Sequence, residues 1–177
     1  MASTETAAPA KAASPFWTFS LRLYGRPGVP PACLVLQDGS GVPVDVNIVL
    51  FSLFLAREGR SLGIEDAKQI VALAEPWRRE VVVSLRSARR ALKEPPAAFD
   101  NDLTDTLRQK VKAVELEAER LQQECLYASF PALNLGTAAS PADAASRNLA
   151  AYEQAIGARF DAAAVATLLA AFNTLKD

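Results

Sequence analysis

The most continuous apolar run in the chain lies at 44–56 and reads VDVNIVLFSLFLA. Its apolar residues fall on nearly every side of a helix, and a helix without a polar face must be surrounded by other elements. The run is well short of the roughly 20 residues that a bilayer-spanning helix needs. The pattern therefore predicts a central helix at about 44–57, buried within a soluble helical domain.

Apolar residues spaced three and four apart predict helices on both sides of this central one. Ser14 and Pro15 are suited to cap and begin a first helix that ends near Tyr24. Further helices are predicted at about 29–37, 64–74, 77–93, 102–128 and 140–157, with a last one from 161. No alternating pattern of useful length indicates a strand. The predicted fold class is all-α, a single compact bundle of about seven helices.

Two of these helices carry regular stripes that we expect to face the core. The first stripe is Val81, Leu85, Ala88 and Leu92. The second lies on the longest predicted helix and consists of Leu103, Leu107, Val111, Val114, Ala118, Leu121 and Cys125. Its regular steps of four and three residues predict a long antiparallel packing surface.

Changes in composition suggest how the chain is organised. Residues 1–13 are small, polar and proline-bearing, which is typical of a disordered tail, and they contain no apolar core of a signal peptide. We expect a single domain at 14–177, in which a proline-rich linker at 94–100 separates a half at 14–93 from packing helices at 101–177. The predicted location is the cytoplasm.

Charge and composition narrow the range of functions. The chain has 19 basic and 20 acidic residues, so its overall charge favours neither nucleic acid nor membrane. It contains no histidine, the side chain most used for acid–base chemistry at neutral pH and for metal binding. Cys33 and Cys125 both lie among apolar residues, and we expect two buried, reduced thiols. A disulfide or a two-thiol metal site would require the two cysteines to meet in space.

The first candidate site is a polar group beside the central helix. Carboxylates and amides at the mouth of a helix can bind a ligand or pair with an arginine from another helix, but they also serve as caps and turn formers. The group is Gln37, Asp38, Asp45 and Asn47.

The second candidate site is a basic helix. Residues 76–94 contain six basic and two acidic side chains, including several arginines close to a tryptophan. Such a helix can hold an acidic protein or an anionic small molecule, and nucleic acid is the least favoured partner because the whole chain is slightly acidic. Solvation and pairing with the acidic long helix are the structural alternatives. The residues are Trp77, Arg78, Arg86, Arg89, Arg90 and Lys93.

The sequence lacks a phosphate-binding glycine loop, a CxxC motif, an HExxH motif and a nucleophile elbow. The aromatic residues near the central helix have the spacing expected of core residues, although they could line a pocket. We therefore assign no catalytic or metal-binding residues and no cofactor, and enzymatic activity is the less favoured interpretation.

Three segments of the chain resemble a known family. They read FWTFSLRLYGRPGVPPACLVLQD, DVNIVLFSLFLA and WRREVVVSLRSARRALK, and together they span about residues 15–93. This order is similar to that of short proteobacterial proteins grouped as domain of unknown function 2390. The resemblance implies a cytoplasmic bacterial protein, and it implies no activity and no catalytic residues.

The sequence leaves two classes of function open. We favour a non-catalytic binding or adaptor protein whose basic helix contacts an acidic protein or an anionic ligand. The alternative is a small-molecule-binding protein or an enzyme with a pocket against the central helix near Asp45. A deep pocket that brings Asp45 and Asn47 to an arginine would favour the ligand-binding class, and a flat basic surface would favour the adaptor.

Overall fold

A computed structural model describes residues 12–39 and 41–175. Most of the predicted tail at 1–13 lies outside these residues. The helices are α1 (Pro15–Tyr24), α2 (Val29–Gly39), α3 (Val46–Arg57), α4 (Ile64–Trp77), α5 (Val83–Ala91), α6 (Asn101–Leu133), α7 (Pro141–Ala155) and α8 (Ala162–Thr174). A π turn at Arg78–Val82 joins α4 to α5 without a break, so the described residues form seven continuous helices. The predicted all-α bundle is confirmed.

The central helix α3 is enclosed as predicted. Asp45 caps it, because the Asp45 side chain accepts a hydrogen bond from the main-chain N–H of Asn47. Every residue from Asn47 to Ala56 is buried. Helix α7 covers one side of α3, and α1 and α6 cover others. The two halves of the sequence therefore pack against the same helix.

Aromatic rings fill the space between α1 and α3. The Phe16 ring lies 4.9 Å from that of Phe51 and 5.3 Å from that of Phe54, measured between centroids. Phe19 contacts the Phe54 ring edge-on from one turn further along α1. These tilted arrangements are the ones that aromatic pairs prefer in cores. The core interpretation is confirmed for these four phenylalanines, whereas Trp17 and Tyr24, also among the aromatics near the central helix, line a cleft.

The π turn at Arg78–Val82 leads directly into α5. Pro76 has no N–H to donate within α4, and two residues later the helix widens, so that the Val83 N–H bonds to the carbonyl of Arg78 five residues back. Val82 is buried, whereas the predicted core stripe is only half-buried at Val81 and exposed at Ala88. Leu85 and Leu92 are also half-buried, and α5 itself fully buries no residue. The stripe therefore lies at the margin of the core, and the prediction that it faces the core is wrong.

Helix α6 reverses the predicted assignment of its faces. The side chains it buries are mainly polar, namely Glu115, Ala118, Gln122, Gln123 and Leu126. Most of the predicted apolar stripe faces outward: Leu103, Leu107, Val114 and Leu121 are at least half exposed, and Cys125 is exposed. Cys33 is buried as predicted, and both cysteines are free. The expectation of two buried thiols is wrong for Cys125.

A short antiparallel strand pair closes one end of the molecule. Strands β1 (Arg60–Ser61) and β2 (Thr137–Ala138) pair Arg60 with Ala138, within a region predicted to be loop. Gly136 precedes β2 with a φ of 69°, and a Cβ there would lie 2.7 Å from the main-chain oxygen of Ser61. Only glycine fits this approach.

The last helices complete the core. Helix α7 buries Ala145, Leu149 and Tyr152, and α8 buries Leu168 and Phe172. Asn148 on α7 is fully buried because its amide bonds to the main chain of Ser52, Arg60 and Leu62. Among the described residues, no helix has the length and apolar content needed to cross a bilayer.

Candidate functional site

A cleft of about 590 Å³ opens between α1, α2, α3, α5 and α6. Its volume lies within the range of about 300–1,000 Å³ that is usual for small-molecule sites. The walls are largely apolar, and the polar and charged groups gather toward the floor and one side. The apolar walls include Trp17, Leu21, Tyr24, Leu34, Leu50 and Leu116.

Asp45 and Asn47 lie at the floor of the cleft, at the point where α3 begins. Both residues are buried, with 7 % and 6 % of their surface exposed. The Asp45 carboxylate accepts hydrogen bonds from the Asn47 N–H at 2.9 Å and from the Gln122 amide. The main-chain N–H of Asp45 donates to the Tyr152 hydroxyl, also at 2.9 Å. The start of α3 is thereby tied to both α6 and α7.

The amides of α6 extend this network. The Asn47 amide donates to Gln122 Oε1 at 3.0 Å, and Gln123 donates to Asn47 Oδ1 at 2.8 Å. The side-chain oxygen of Gln123 has no hydrogen-bond partner among the described residues, and the buried hydroxyl of Ser20 also has none. Both side chains line the cleft. Unpaired buried polar atoms are rare in folded proteins. Ser52 Oγ and Arg108 Nε are also unpaired among the described residues, but they lie outside the lining of the cleft.

The environment of Asp45 perturbs its ionisation. Burial raises the pKa of the Asp45 carboxyl, while hydrogen bonds from Gln122 and Asn47 oppose that shift. The charges of Arg78 and Arg86 also oppose it from a distance. Asp45 forms no ion pair within the described residues. The hydrogen bonds that stabilise its ionised form come from neutral amide groups.

The arginines on α5 pair with glutamates on α6 along the side of the cleft. Arg86 Nε lies 3.0 Å from Glu115 and its Nη2 lies 2.6 Å from Glu119. Arg89 makes a second contact with Glu115, at 2.5 Å. Arg86 and Arg89 thus pair with the acidic long helix, which was one of the two structural alternatives to a binding surface. They do not form a free cationic surface.

The two glutamates respond in opposite ways to this environment. Burial acts to raise the pKa of Glu115, but hydrogen bonds from Arg89 and Arg86 outweigh burial and leave the pKa lowered. For Glu119, burial is the dominant influence and its pKa is raised despite the Arg86 contact. Two carboxyls one helical turn apart thus differ in proton affinity.

The fold joins the two candidate sites that the sequence separated. The cleft is lined by Gln37, Asp45, Asn47, Arg86, Arg89 and Arg90. Asp38 lies beside it, because its carboxylate is 3.7 Å from the exposed guanidinium of Arg90.

Three predicted site residues lie elsewhere. Trp77 donates from its indole to the Ala118 carbonyl at 2.9 Å and lines a separate groove. Arg78 pairs with Glu75 at 2.7 Å. Lys93 is exposed and does not line the cleft. The cleft therefore depends on the later arginines of the helix and not on its first turn.

Several residues of the cleft escaped the sequence analysis. The most informative are Ser20, Lys112, Glu115, Glu119 and Gln123. Glu115, Glu119 and the Gln122–Gln123 pair are spaced three or four residues apart, so they form a polar stripe on one face of the helix. This spacing was a usable signal, but the apolar stripe on the same helix is more regular. The described residues contain no cluster of three or more acidic or cysteine side chains suited to a metal.

Comparison with known proteins places the chain in a family. The model of the family described as "Protein of unknown function (DUF2390)" matches residues 15–126, and the chain belongs to that family. This match extends beyond the resemblance at about 15–93 and includes every residue that lines the cleft. No curated protein and no solved structure matches the chain.

Proposed function

We propose that this protein binds a small amphipathic organic anion in the cleft between α1, α2, α3, α5 and α6. The observation that carries the proposal is the pair of unpartnered buried atoms, Ser20 Oγ and Gln123 Oε1, on side chains that line the cleft together with its apolar walls. Burying an oxygen acceptor without a hydrogen-bond partner costs about 1–3 kcal/mol of desolvation free energy. A ligand that donates a hydrogen bond to Gln123 recovers that energy.

The walls of the cleft indicate the body of the ligand. Trp17, Tyr24 and Leu50 supply aromatic and aliphatic surface to the cleft. Burying apolar area yields roughly 25 cal/mol per Å², so a ligand with one or two rings gains substantial free energy. A purely polar ligand gains little there.

The charges at the rim support an anionic group. The cleft has four cationic side chains, Arg86, Arg89, Arg90 and Lys112, against the three carboxyls of Asp45, Glu115 and Glu119. The glutamates already occupy Arg86 and Arg89. Lys112 forms no ion pair among the described residues, and Arg90, which is 59 % exposed, makes only a long, exposed contact of 3.7 Å with Asp38. These two cations are available to a carboxylate, sulfonate or phosphate.

The same pairing gives less support to an adaptor that uses a basic helix. The last four basic residues of this helix are Arg86, Arg89, Arg90 and Lys93, and only Arg90 and Lys93 are exposed. A partner protein would have to compete with Glu115 for Arg86 and Arg89. The ligand-binding class, in which Asp45 and Asn47 meet an arginine-bearing wall, is the better supported one.

Fluorescence titration with two related probes tests the proposal. Anilinonaphthalene sulfonate has an apolar double-ring body, an N–H donor and an anionic group, and N-phenylnaphthylamine is its uncharged counterpart. We expect saturable binding of the sulfonate with one site per chain and weaker binding of the neutral probe. Ala113→Phe fills the cleft and should abolish binding, whereas Ala128→Phe makes the same change at an exposed site of α6 outside the cleft.

Charge variants separate the anion from the apolar body. Lys112→Gln and Arg90→Gln should weaken sulfonate binding severalfold and leave the neutral probe unchanged, because both cations lie at the rim. Added salt should act in the same direction. Binding that persists in Ala113→Phe would place the probe elsewhere and overturn the proposed site. Equal affinity for both probes would overturn the anionic class.

A further inference from the structure

The exposed apolar face of α6 has a regular, symmetric spacing. Its large apolar side chains are Leu103, Leu107, Val114 and Leu121, with exposures of 72 %, 50 %, 51 % and 52 %, and exposed Cys125 ends the row. We call this set the outer stripe. Steps of four and seven residues keep its members on one face of the helix. Helix α4 borders this face at Leu121 and Cys125, and all five side chains remain exposed among the described residues.

We propose that the outer stripe is the interface of a two-fold dimer, in which α6 packs antiparallel against α6 of a second copy of this chain. A two-fold interface must be self-complementary, since each residue meets its own mirror position. Leu107 and Leu121 lie seven residues on either side of Val114, and Leu103 and Cys125 lie eleven residues on either side. An axis through Val114 therefore brings apolar residues level with apolar residues at all five positions.

Two charges beside the stripe nearly match the same symmetry, because Lys110 precedes Val114 by four residues and Glu117 follows it by three. Along the helix, Lys110 lies between Leu107 and Val114, and Glu117 lies between Val114 and Leu121. Both are exposed, and neither forms an ion pair among the described residues. In the antiparallel arrangement, Lys110 of one copy lies within about one residue rise, roughly 1.5 Å, of the level of Glu117 of the other. The axis thus pairs opposite charges twice, whereas a parallel pairing would align like charges.

A groove at one end of the stripe fits the residues that the axis brings to it. The groove holds about 330 Å³ between α4 and α6, and it is lined by Leu73, Trp77, Leu121, Cys125 and Leu126 among others. The two-fold axis places Leu107 of the second copy level with Leu121 and Leu103 of the second copy level with Cys125. Leu103 is the most exposed large apolar residue of the described chain, and the groove offers it an apolar environment.

The dimer interface is separate from the ligand cleft. Leu116, which lines the cleft, follows Val114 by two residues and therefore lies about 200° further round the helix. The outer stripe and the cleft occupy opposite sides of α6. Dimer formation therefore leaves the cleft open, and each inference stands or fails on its own observations.

A charge-exchange experiment tests the proposal by sedimentation equilibrium of the full chain. We expect concentration-dependent dimerisation of the wild type. Lys110→Glu and Glu117→Lys should each raise the dissociation constant more than about tenfold, because each sets like charges against each other across the axis. The double variant Lys110→Glu with Glu117→Lys should restore the wild-type constant. Circular dichroism of each variant checks that helix content is unchanged.

Cross-linking locates the axis. In a Cys125→Ser background, Val114→Cys should form a disulfide-linked dimer under mild oxidation, since the two copies meet at that residue. Leu116→Cys, which is similarly exposed at 53 %, should remain monomeric under the same conditions. Wild-type protein that stays monomeric at millimolar concentration overturns the proposal. So does a dimer in which the charge exchange fails to restore affinity or in which Leu116→Cys cross-links as well as Val114→Cys.

Discussion

The Tyr152 hydroxyl lies 2.9 Å from the main-chain nitrogen of Asp45 and accepts its hydrogen bond, which ties the middle of α7 to the residue that caps α3. Tyr152 is 1 % exposed and Asp45 is 7 % exposed, so water cannot replace this contact. The bond connects a helix outside the family match to the floor of the cleft. The C-terminal helices therefore help to shape a site whose lining they do not contribute.

Removing this hydroxyl should destabilise the protein. Tyr152→Phe leaves the Asp45 N–H buried and unpaired, and we expect the free energy of unfolding to fall by about 1–3 kcal/mol in urea denaturation. Tyr127→Phe is the matched control, because no hydrogen bond of the Tyr127 hydroxyl is present in the described part of the chain. Equal effects of the two variants would contradict the structural role of the Tyr152 contact.

The ion pairs between α5 and α6 should contribute to stability. Glu115→Gln leaves Arg86 and Arg89 without their shared carboxylate, and we expect a loss of about 2 kcal/mol, below the value for fully enclosed pairs because both arginines are partly exposed. Glu80→Gln is the control, since the Glu80 pair with Arg79 is 66 % exposed on both sides and should contribute less than about 1 kcal/mol. A Glu115→Gln protein as stable as Glu80→Gln would refute this assignment.

The two glutamates predict opposite pH dependences. The lowered pKa of Glu115 gives stability that is fully present above the ordinary glutamate pKa of about 4.3 and is lost as pH falls through the lower folded value. The raised pKa of Glu119 instead lowers the free energy of unfolding at pH values above the pKa of Glu119 in the folded protein. This loss of stability disappears as pH falls from that pKa to the ordinary glutamate pKa. On acidification, the stability gap between wild type and Glu115→Gln should shrink, while wild type should gain stability relative to Glu119→Gln. Urea denaturation at several pH values measures both trends, and parallel trends would be inconsistent with the two shifts.

Large-to-small changes in α3 test its enclosure. Phe51 and Leu53 point to different sides of the helix and are both fully buried. Phe51→Ala should cost about 3–5 kcal/mol and Leu53→Ala about 2–5 kcal/mol in the free energy of unfolding. Leu34→Ala, at a site that is 52 % exposed, should change stability far less. If either buried change costs under roughly 0.5 kcal/mol, that side of α3 faces solvent.

The two thiols should differ in reactivity. Burial raises the pKa of the Cys33 thiol to about 12 and encloses it, whereas Cys125 is exposed. At a dilution at which the chain is monomeric, a thiol reagent such as dithionitrobenzoate should therefore titrate one cysteine in the native protein and two after unfolding. Cys125→Ser should abolish the native reaction. Two reactive thiols in the folded protein would contradict the burial of Cys33.

The parts of the fold that the sequence predicted are those set by local chemistry. The central helix was predictable because a run that is apolar on all sides has no solvent-facing alternative. Ser14, Asp45 and Asp161 were predictable as helix starts, since a capping side chain bonds within its own first turn.

The faces of α6 depend on distant partners. Glu115 is buried because Arg86 and Arg89 neutralise it, and Gln122 is buried because Asp45 and Asn47 satisfy its amide. Those partners lie between 26 and 77 residues away along the chain. A helical repeat shows two candidate faces but does not show which one will find partners. For the same reason, two candidate sites appeared separate in the sequence although they share one cleft.

The wide turn at Arg78–Val82 has a consequence for aligning relatives of this chain. It contains one residue more than an ordinary α-helix of the same span, and each residue turns a helix by about 100°. The wide turn absorbs that extra rotation, so a homologue that lacks one residue between Trp77 and Val83 would form an ordinary α-helix there and keep its following segment in the same orientation. Its arginines would meet the glutamates of α6 from positions one residue earlier in its own numbering. A single-residue gap at this point of an alignment would thus preserve the same three-dimensional contact.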